Sequence, residues 1–365
     1  MQMRISALAM LTLTTVIAAP AAADTLAERA NRGLVEVITG STAGSSVRIA
    51  EDLADVLDDG ATRRVLPVVG KGSLQDLVDL RALRGVDLAI VQADVLDHVK
   101  GQRQLGIDSG VTYIAKLYNE EFHLLARGDV HNIADLAGKK VNFGGPGDGT
   151  ALTGPRIFEL LKVKVEATSY GQTVALEKLK SGQIAAMAFV TAKPAPLFAG
   201  VRAKDGLHFL AVPLRTDMAA SYSPARLTPD DYPALVAQGS VDTVAVGTVL
   251  IVANLVPESE RYRNAASFVE AFFTQFPKLL EAPHHPKWSE VNLAAELPGW
   301  RRFGPADAWI KRNGAGSPVA MSEDQMRDIF VKFLDERSKV SGGATLSADQ
   351  KDQLFAQFKR WQDSH

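Results

Sequence analysis

The chain has 365 residues, 46% of them apolar and 22% charged, ordinary figures for a globular protein with room for one large or two medium domains. Its formal net charge of −2 leaves no electrostatic footprint for a nucleic-acid partner. It has no cysteine, which excludes disulfides and thiolate-based zinc or redox chemistry.

In chain order, the first residues carry Arg4, an apolar run from Ile5 to Ala19, and Ala21-Ala22-Ala23. A basic start, a short apolar stretch and small residues at the end predict a secretory leader, residues 1–23, cut after Ala23. Its removal takes the net charge from −2 to about −3. No later run is apolar and long enough to span a bilayer, so the expected location is the periplasm.

"LVEVITG" (34–40) predicts a strand that ends in the glycine-containing loop "GSTAGSS". Ile49, Leu53, Val56 and Leu57 then recur at helical spacing. "RRVLPVV" predicts a second strand, "GKGS" opens the helix "LQDLVDLRAL", and "VDLAIVQAD" is a third strand. This βαβαβ alternation implies a parallel sheet with crossover helices, whose strand ends are where ligands bind.

The grammar then restarts. "FHLLARGD" predicts a strand, "NIADLAGKKVNFGG" a short helix and strand, "TALTGPRIFELLKV" a helix, and "GQTVALEKLKSGQIAAMAFV" a helix, turn and strand. "VDTVAVGTVLIVA" (241–253) is the expected return to the first lobe, followed by the helix "ERYRNAASFVEAFFTQF". The expected organisation is residues 24–117 in lobe 1, 118–243 in lobe 2, 244–318 back in lobe 1, and 319–365 as a C-terminal helical hairpin. That hairpin rests on "SEDQMRDIFVKF" and "SADQKDQLFAQF", each opening with the S-x-x-Q pattern of a capping box.

The loop "GGPGDGT" (144–150) asks for chemistry. Gly144 and Gly149 have phosphate-loop spacing, but Thr150 stands where the lysine belongs. Gly145 and Gly147 begin a dinucleotide fingerprint that Thr150 fails to complete. A small-ligand loop is the remaining functional reading, with Thr150 and nearby N–H groups donating to a carboxylate or hydroxyl. The bland alternative is a turn capped by Asp148 or Thr150. Asp148 sits awkwardly for a purely anionic ligand, so it turns away as a cap or meets a ligand that also carries an ammonium group. No G-x-S-x-G, S-x-x-K or H-E-x-x-H pattern occurs, and no catalytic residue, metal site or cofactor is expected.

Taken together, "VITGSTAGSS", "GKGSLQDLVDL", "VDLAIVQAD", "IADLAGKKVNFGGPGDGT" and "LKSGQIAAMAF" stand in the order seen in the TAXI family, and the chain up to about Gly314 resembles these solute-binding proteins of TRAP transporters. The resemblance implies an α/β fold of the type II periplasmic-binding class, two α/β lobes with a central ligand cleft, here with a C-terminal helical extension. It implies a membrane permease as partner and a small organic anion or amino acid, glutamate-like or a dicarboxylate, as solute; with no nucleophile–base pattern the chain is not expected to be an enzyme, and it is expected to be a monomer. An ABC-type receptor of the same fold and a sensor or adhesion protein are the alternatives. Departures from the family fall at Ser46, Val47, Asp76, Asp148 and Ala185.

By position, the resemblance implies Ser41, Thr42, Ser45 and Ser46 in the first loop, Gly72 and Ser73 in the second, Gln92 at the end of the third strand, and Gly147, Asp148, Gly149 and Thr150 in the second lobe. Tyr118 and Tyr222 are candidate cleft aromatics, with core packing as the alternative. Arg48 is a candidate partner for a carboxylate, or else a solvated helix arginine.

Overall fold

A computed structural model describes residues 25–101, 110–313, 347, 350–352, 354 and 355. The expected leader and most of the C-terminal hairpin lie outside the described residues. At the second tail segment the two capping-box bonds are present: Ser347 N–H donates to Gln350 Oε1 at 2.9 Å, and Gln350 N–H to Ser347 Oγ at 3.3 Å.

A short helix α1 (Leu26–Asn31) leads into β1 (Leu34–Thr39), α2 (Ser46–Leu57), β2 (Arg64–Val69), α3 (Ser73–Ala82), β3 (Val86–Gln92) and α4 (Ala93–Gly101). A long strand β4 (Val111–Arg127) follows. The second lobe adds β5 (Lys140–Asn142), α5 (Thr150–Leu160), β6 (Glu166–Thr168), α6 (Gln172–Lys180), β7 (Ala186–Thr191), β8 (Leu207–Phe209) and β9 (Ser223–Leu227). The chain returns through β10 (Val241–Ala253) and ends, within the main described span, with α7 (Glu260–Leu279) and α8 (Gly304–Asn313).

The strands form one sheet in the order β2-β1-β3-β10-β4-β7-β5-β6, with β8 beside β4 and β9 beside β10. β1 is parallel to β2 and β3, as the βαβαβ alternation requires. β10 runs antiparallel between β3 and β4. β4 has 17 residues and β10 has 13, far above the usual five or six. They are long because each serves both lobes: Val111–Lys116 lie opposite Val249–Ala253 beside β3, whereas Glu121–Ala126 pair with β7. Their register slips between Gly247 and Val249, a bulge at the crossing.

Side-chain alternation gives each lobe two cores. Leu88 and Ile90 of β3, with Leu250 and Val252 of β10, face α2 and α7, while Ala89, Val91, Val249 and Ile251 face α3 and α4. In lobe 2, Ala186, Ala188 and Val190 of β7 join Phe122 and Leu124 on one face, and Met187 and Phe189 pack on the other. α7 presents Phe268, Phe272 and Phe276 at i, i+4 spacing, and the fully buried Trp288 meets the last two edge-on. Two α/β lobes, helices on both faces of the sheet and a cleft between strand ends make this the expected type II periplasmic-binding-protein fold.

Candidate functional site

The loops after β1 and β2 and the C-terminal end of β3 in lobe 1 meet the loop after β5 and the C-terminal end of β7 in lobe 2. They enclose a cavity of about 40 Å³, room for a few waters and well below the roughly 300–1,000 Å³ of small-molecule sites. The lobes touch directly around it. Ser45 N–H donates to Thr191 Oγ1 at 3.1 Å and its hydroxyl to the Ala192 carbonyl at 3.0 Å. Gln75 N–H donates to the Gly147 carbonyl at 3.2 Å. Gly72, with φ +134°, lies so close to the second lobe that a Cβ there would stand 2.7 Å from Asp148 Cα. On the flank, Thr153 Oγ1 and the Tyr222 hydroxyl donate to buried Asp94 at 2.7 and 3.1 Å.

Of the residues singled out in the sequence, Ser41, Ser46, Gly72, Ser73, Gln92, Asp148 and Gly149 line the cavity. The others stand off it. Thr42 is exposed, and Ser45 is spent on the contact to Thr191. Arg48 lies on the outside of α2, 3.1 Å from Asp52 and bonded to the Pro283 carbonyl, so no ligand carboxylate is needed to account for it. Tyr118 is buried in the first-lobe core, and Tyr222 serves Asp94. Gly147 turns with φ +89° against Gln75. Thr150 is committed inside its own lobe: its N–H goes to Asp148 Oδ1 at 2.9 Å, and its hydroxyl accepts from Val190 N–H at 3.1 Å. Asp148 is therefore turned onto the start of α5.

Four polar residues that line the cavity were not among the candidates: Lys71, Glu120, Thr191 and Thr248. Glu120 was signalled only by a charged pair, Glu120-Glu121, within a largely apolar stretch that Lys116 and Asn119 also interrupt. Gln92 Nε2 donates to Glu120 Oε2 at 2.7 Å, and Gln92 Oε1, buried, has no hydrogen-bond partner. Thr248 bonds the Tyr118 carbonyl at 2.8 Å beside the crossing.

The cavity is electrostatically acidic. Burial is the main cause that pushes the Glu120 carboxyl up to about 8, opposed by the Gln92 bond and reinforced by Glu121 and Asp148. Asp76, fully buried under the β2–α3 loop, is pushed up to about 7, again chiefly by burial; its Oδ1 accepts from the N–H groups of Lys71 and Gly72. Asp148 is also raised by burial. Among the described residues no group of three or more His, Asp or Glu side chains is arranged to hold a metal ion.

In overall shape the chain is similar to a protein described as a periplasmic transporter (14% identity, 76% of this chain and 92% of that one, TM-score 0.47). It is also similar to the periplasmic binding protein BugD (13% identity, 76% and 93%, TM-score 0.44). A third likeness is to the alkanesulfonate-binding protein SsuA from Xanthomonas axonopodis pv. citri bound to MOPS (13% identity, 89% and 83%, TM-score 0.42). The sequence model of the NMT1-like family matches residues 37–298, most of the chain, and the protein belongs to that family.

Proposed function

We propose that this protein is an extracytoplasmic solute-binding receptor that captures a small polar solute by closing its two lobes and hands it to a membrane permease of the TRAP type. The observation that carries this reading is the meeting of three strand-end loops and the C-terminal ends of β3 and β7, from two lobes, around one polar cavity, with β4 and β10 as the two strands crossing between them. Rotation about such a crossing opens and shuts a cleft without disturbing either core. The leader-like residues 1–23 and the order of the glycine loops support a periplasmic, TRAP-linked role. Binding without chemistry fits a site whose groups form no nucleophile–base pair. A monomer suffices, since both walls of the cleft come from one chain.

The test is a thermal-shift screen of amino acids, organic acids and amines on the purified protein, followed by small-angle scattering. A ligand present at one hundred times its dissociation constant stabilises by about 2.7 kcal/mol and compacts the molecule. Gly149→Trp places bulk where even a Cβ would lie 2.0 Å from Gln92 Oε1. It is expected to abolish the ligand-induced shift while leaving the fold intact by circular dichroism. Normal binding by that variant would remove the loop from the site. Reconstituted uptake with TRAP or ABC permeases separates the transport classes, and ligand binding without uptake by either favours a sensor.

A further inference from the structure

Resting on this receptor reading, we infer that the solute presents a protonated amine to the cleft, seated against the side-chain oxygens of Gln92 and Glu120, rather than a carboxylate held by loop amides. A carboxylate needs free donors, and the glycine loops have largely spent theirs. The N–H groups of Lys71 and Gly72 are taken by Asp76, that of Thr150 by Asp148, that of Gly40 by the Ser46 hydroxyl, and that of Ser45 by Thr191. The side chains Asp76 and Asp148 already occupy the positions at helix starts where an incoming anion would bind.

Acceptors, by contrast, are in surplus. Gln92 is 4% exposed and lines the cavity. Its Nε2 donates to Glu120, which turns its unpartnered Oε1 toward Gly149 across the cleft. A buried carbonyl oxygen without a donor is costly, and an ammonium supplies three donors. Charge points the same way. Glu120 and Asp148 line the cavity, Asp76 lies just behind Gly72, and the one cation lining the cavity, Lys71, is exposed. A carboxylate ligand would add an unpaired charge beside carboxyls that burial already drives toward their neutral form, whereas an ammonium supplies the counterion that lets one of them ionise.

A proton linkage follows. The groups that act on Glu120 are Gln92 from β3, Tyr118 and Glu121 on its own strand, Asp148 from the second-lobe loop and Lys287, which is itself bonded to Glu121 and Glu290. Lys71 and Asp76 complete the surroundings on the β2–α3 loop. With its carboxyl near 8, Glu120 is protonated in the unliganded protein at pH 7 and must ionise to receive an ammonium. Binding of the amine therefore releases about one proton, and affinity weakens about tenfold between pH 7 and pH 6.

Titration calorimetry with three probes of one carbon frame decides the matter: 1,4-diaminobutane, 4-aminobutanoate and succinate. The amine-bearing probes are expected to bind with the pH slope above, and succinate at least about tenfold more weakly. Glu120→Gln should cost the amines about 100-fold and flatten the slope. Gln92→Leu, which keeps the carboxyl but removes the orphan oxygen, should cost them about tenfold. Tighter binding of succinate than of both amines, or an unchanged amine affinity in Glu120→Gln, overturns the inference and leaves the receptor reading standing. Binding of no compound of any charge in the wider screen overturns both.

Discussion

Glu120 and Glu121 are consecutive on β4, both buried, and project to opposite faces of the sheet. Glu121 meets Lys287 Nζ at 2.6 Å, and that ammonium also reaches Glu290 at 2.7 Å. Glu120 meets a neutral amide and looks into the cleft. The same carboxylate at the same depth is thus structural where the fold supplies its cation and receptive where it does not. Burial alone says little about a charged group; whether its counterion belongs to the chain separates a strut from a binding site.

The largest test removes the counterion. Lys287→Met leaves Glu121 buried without its cation, and chemical denaturation at pH 7 should show a loss of about 3–5 kcal/mol. The double variant Lys287→Met with Glu121→Gln should recover more than half of that, since breaking a buried pair costs more than replacing it. Full additivity of the two changes would mean that the pair is not coupled.

The mirror experiment changes Glu120 and should act in the opposite direction. Its folded carboxyl lies near 8 against an ordinary value of 4.5, so between these limits the folded state holds a proton that the unfolded chain has released. Stability must therefore fall as pH rises through that window. Glu120→Gln removes the penalty: it should match the wild type near pH 4 and exceed it by on the order of 3 kcal/mol at pH 8. A variant less stable than wild type at pH 8 would show that Glu120 is a strut like its neighbour.

The smallest effect is expected where water screens the pair. Arg226 and Asp242 lie 2.9 Å apart with both side chains 69% exposed. Arg226→Ala should change stability by less than about 0.5 kcal/mol. Comparing it with Lys287→Met holds distance nearly constant and varies the solvent.

Much of this architecture was legible in the sequence. The return strand was expected over 241–253 and occupies Val241–Ala253. The glycine loops mark strand ends where the chain turns tightly with positive φ, as at Gly72 and Gly147. The first half of β4 was not read as a strand. Lys116, Asn119, Glu120 and Glu121 break its apolar pattern, and what allows them to be buried comes from residues far along the chain, such as Lys287 and Gln92. The site was partly legible for the same reason. Local spacing marks loops, so Ser41, Gly72 and Asp148 could be named. It cannot show that Arg48 already has Asp52 and the Pro283 carbonyl, or that Tyr222 is held by an aspartate 128 residues away.

The crossing carries one more consequence. β4 and β10 lie side by side, hydrogen-bonded along most of their length, with the bulge at Gly247–Val249 midway. Two coupled ribbons behave like a leaf spring: they bend readily across their plane and resist sliding within it. If the lobes close as proposed, such a crossing would give them one soft direction of travel and bring the same loops to the same register at each closure.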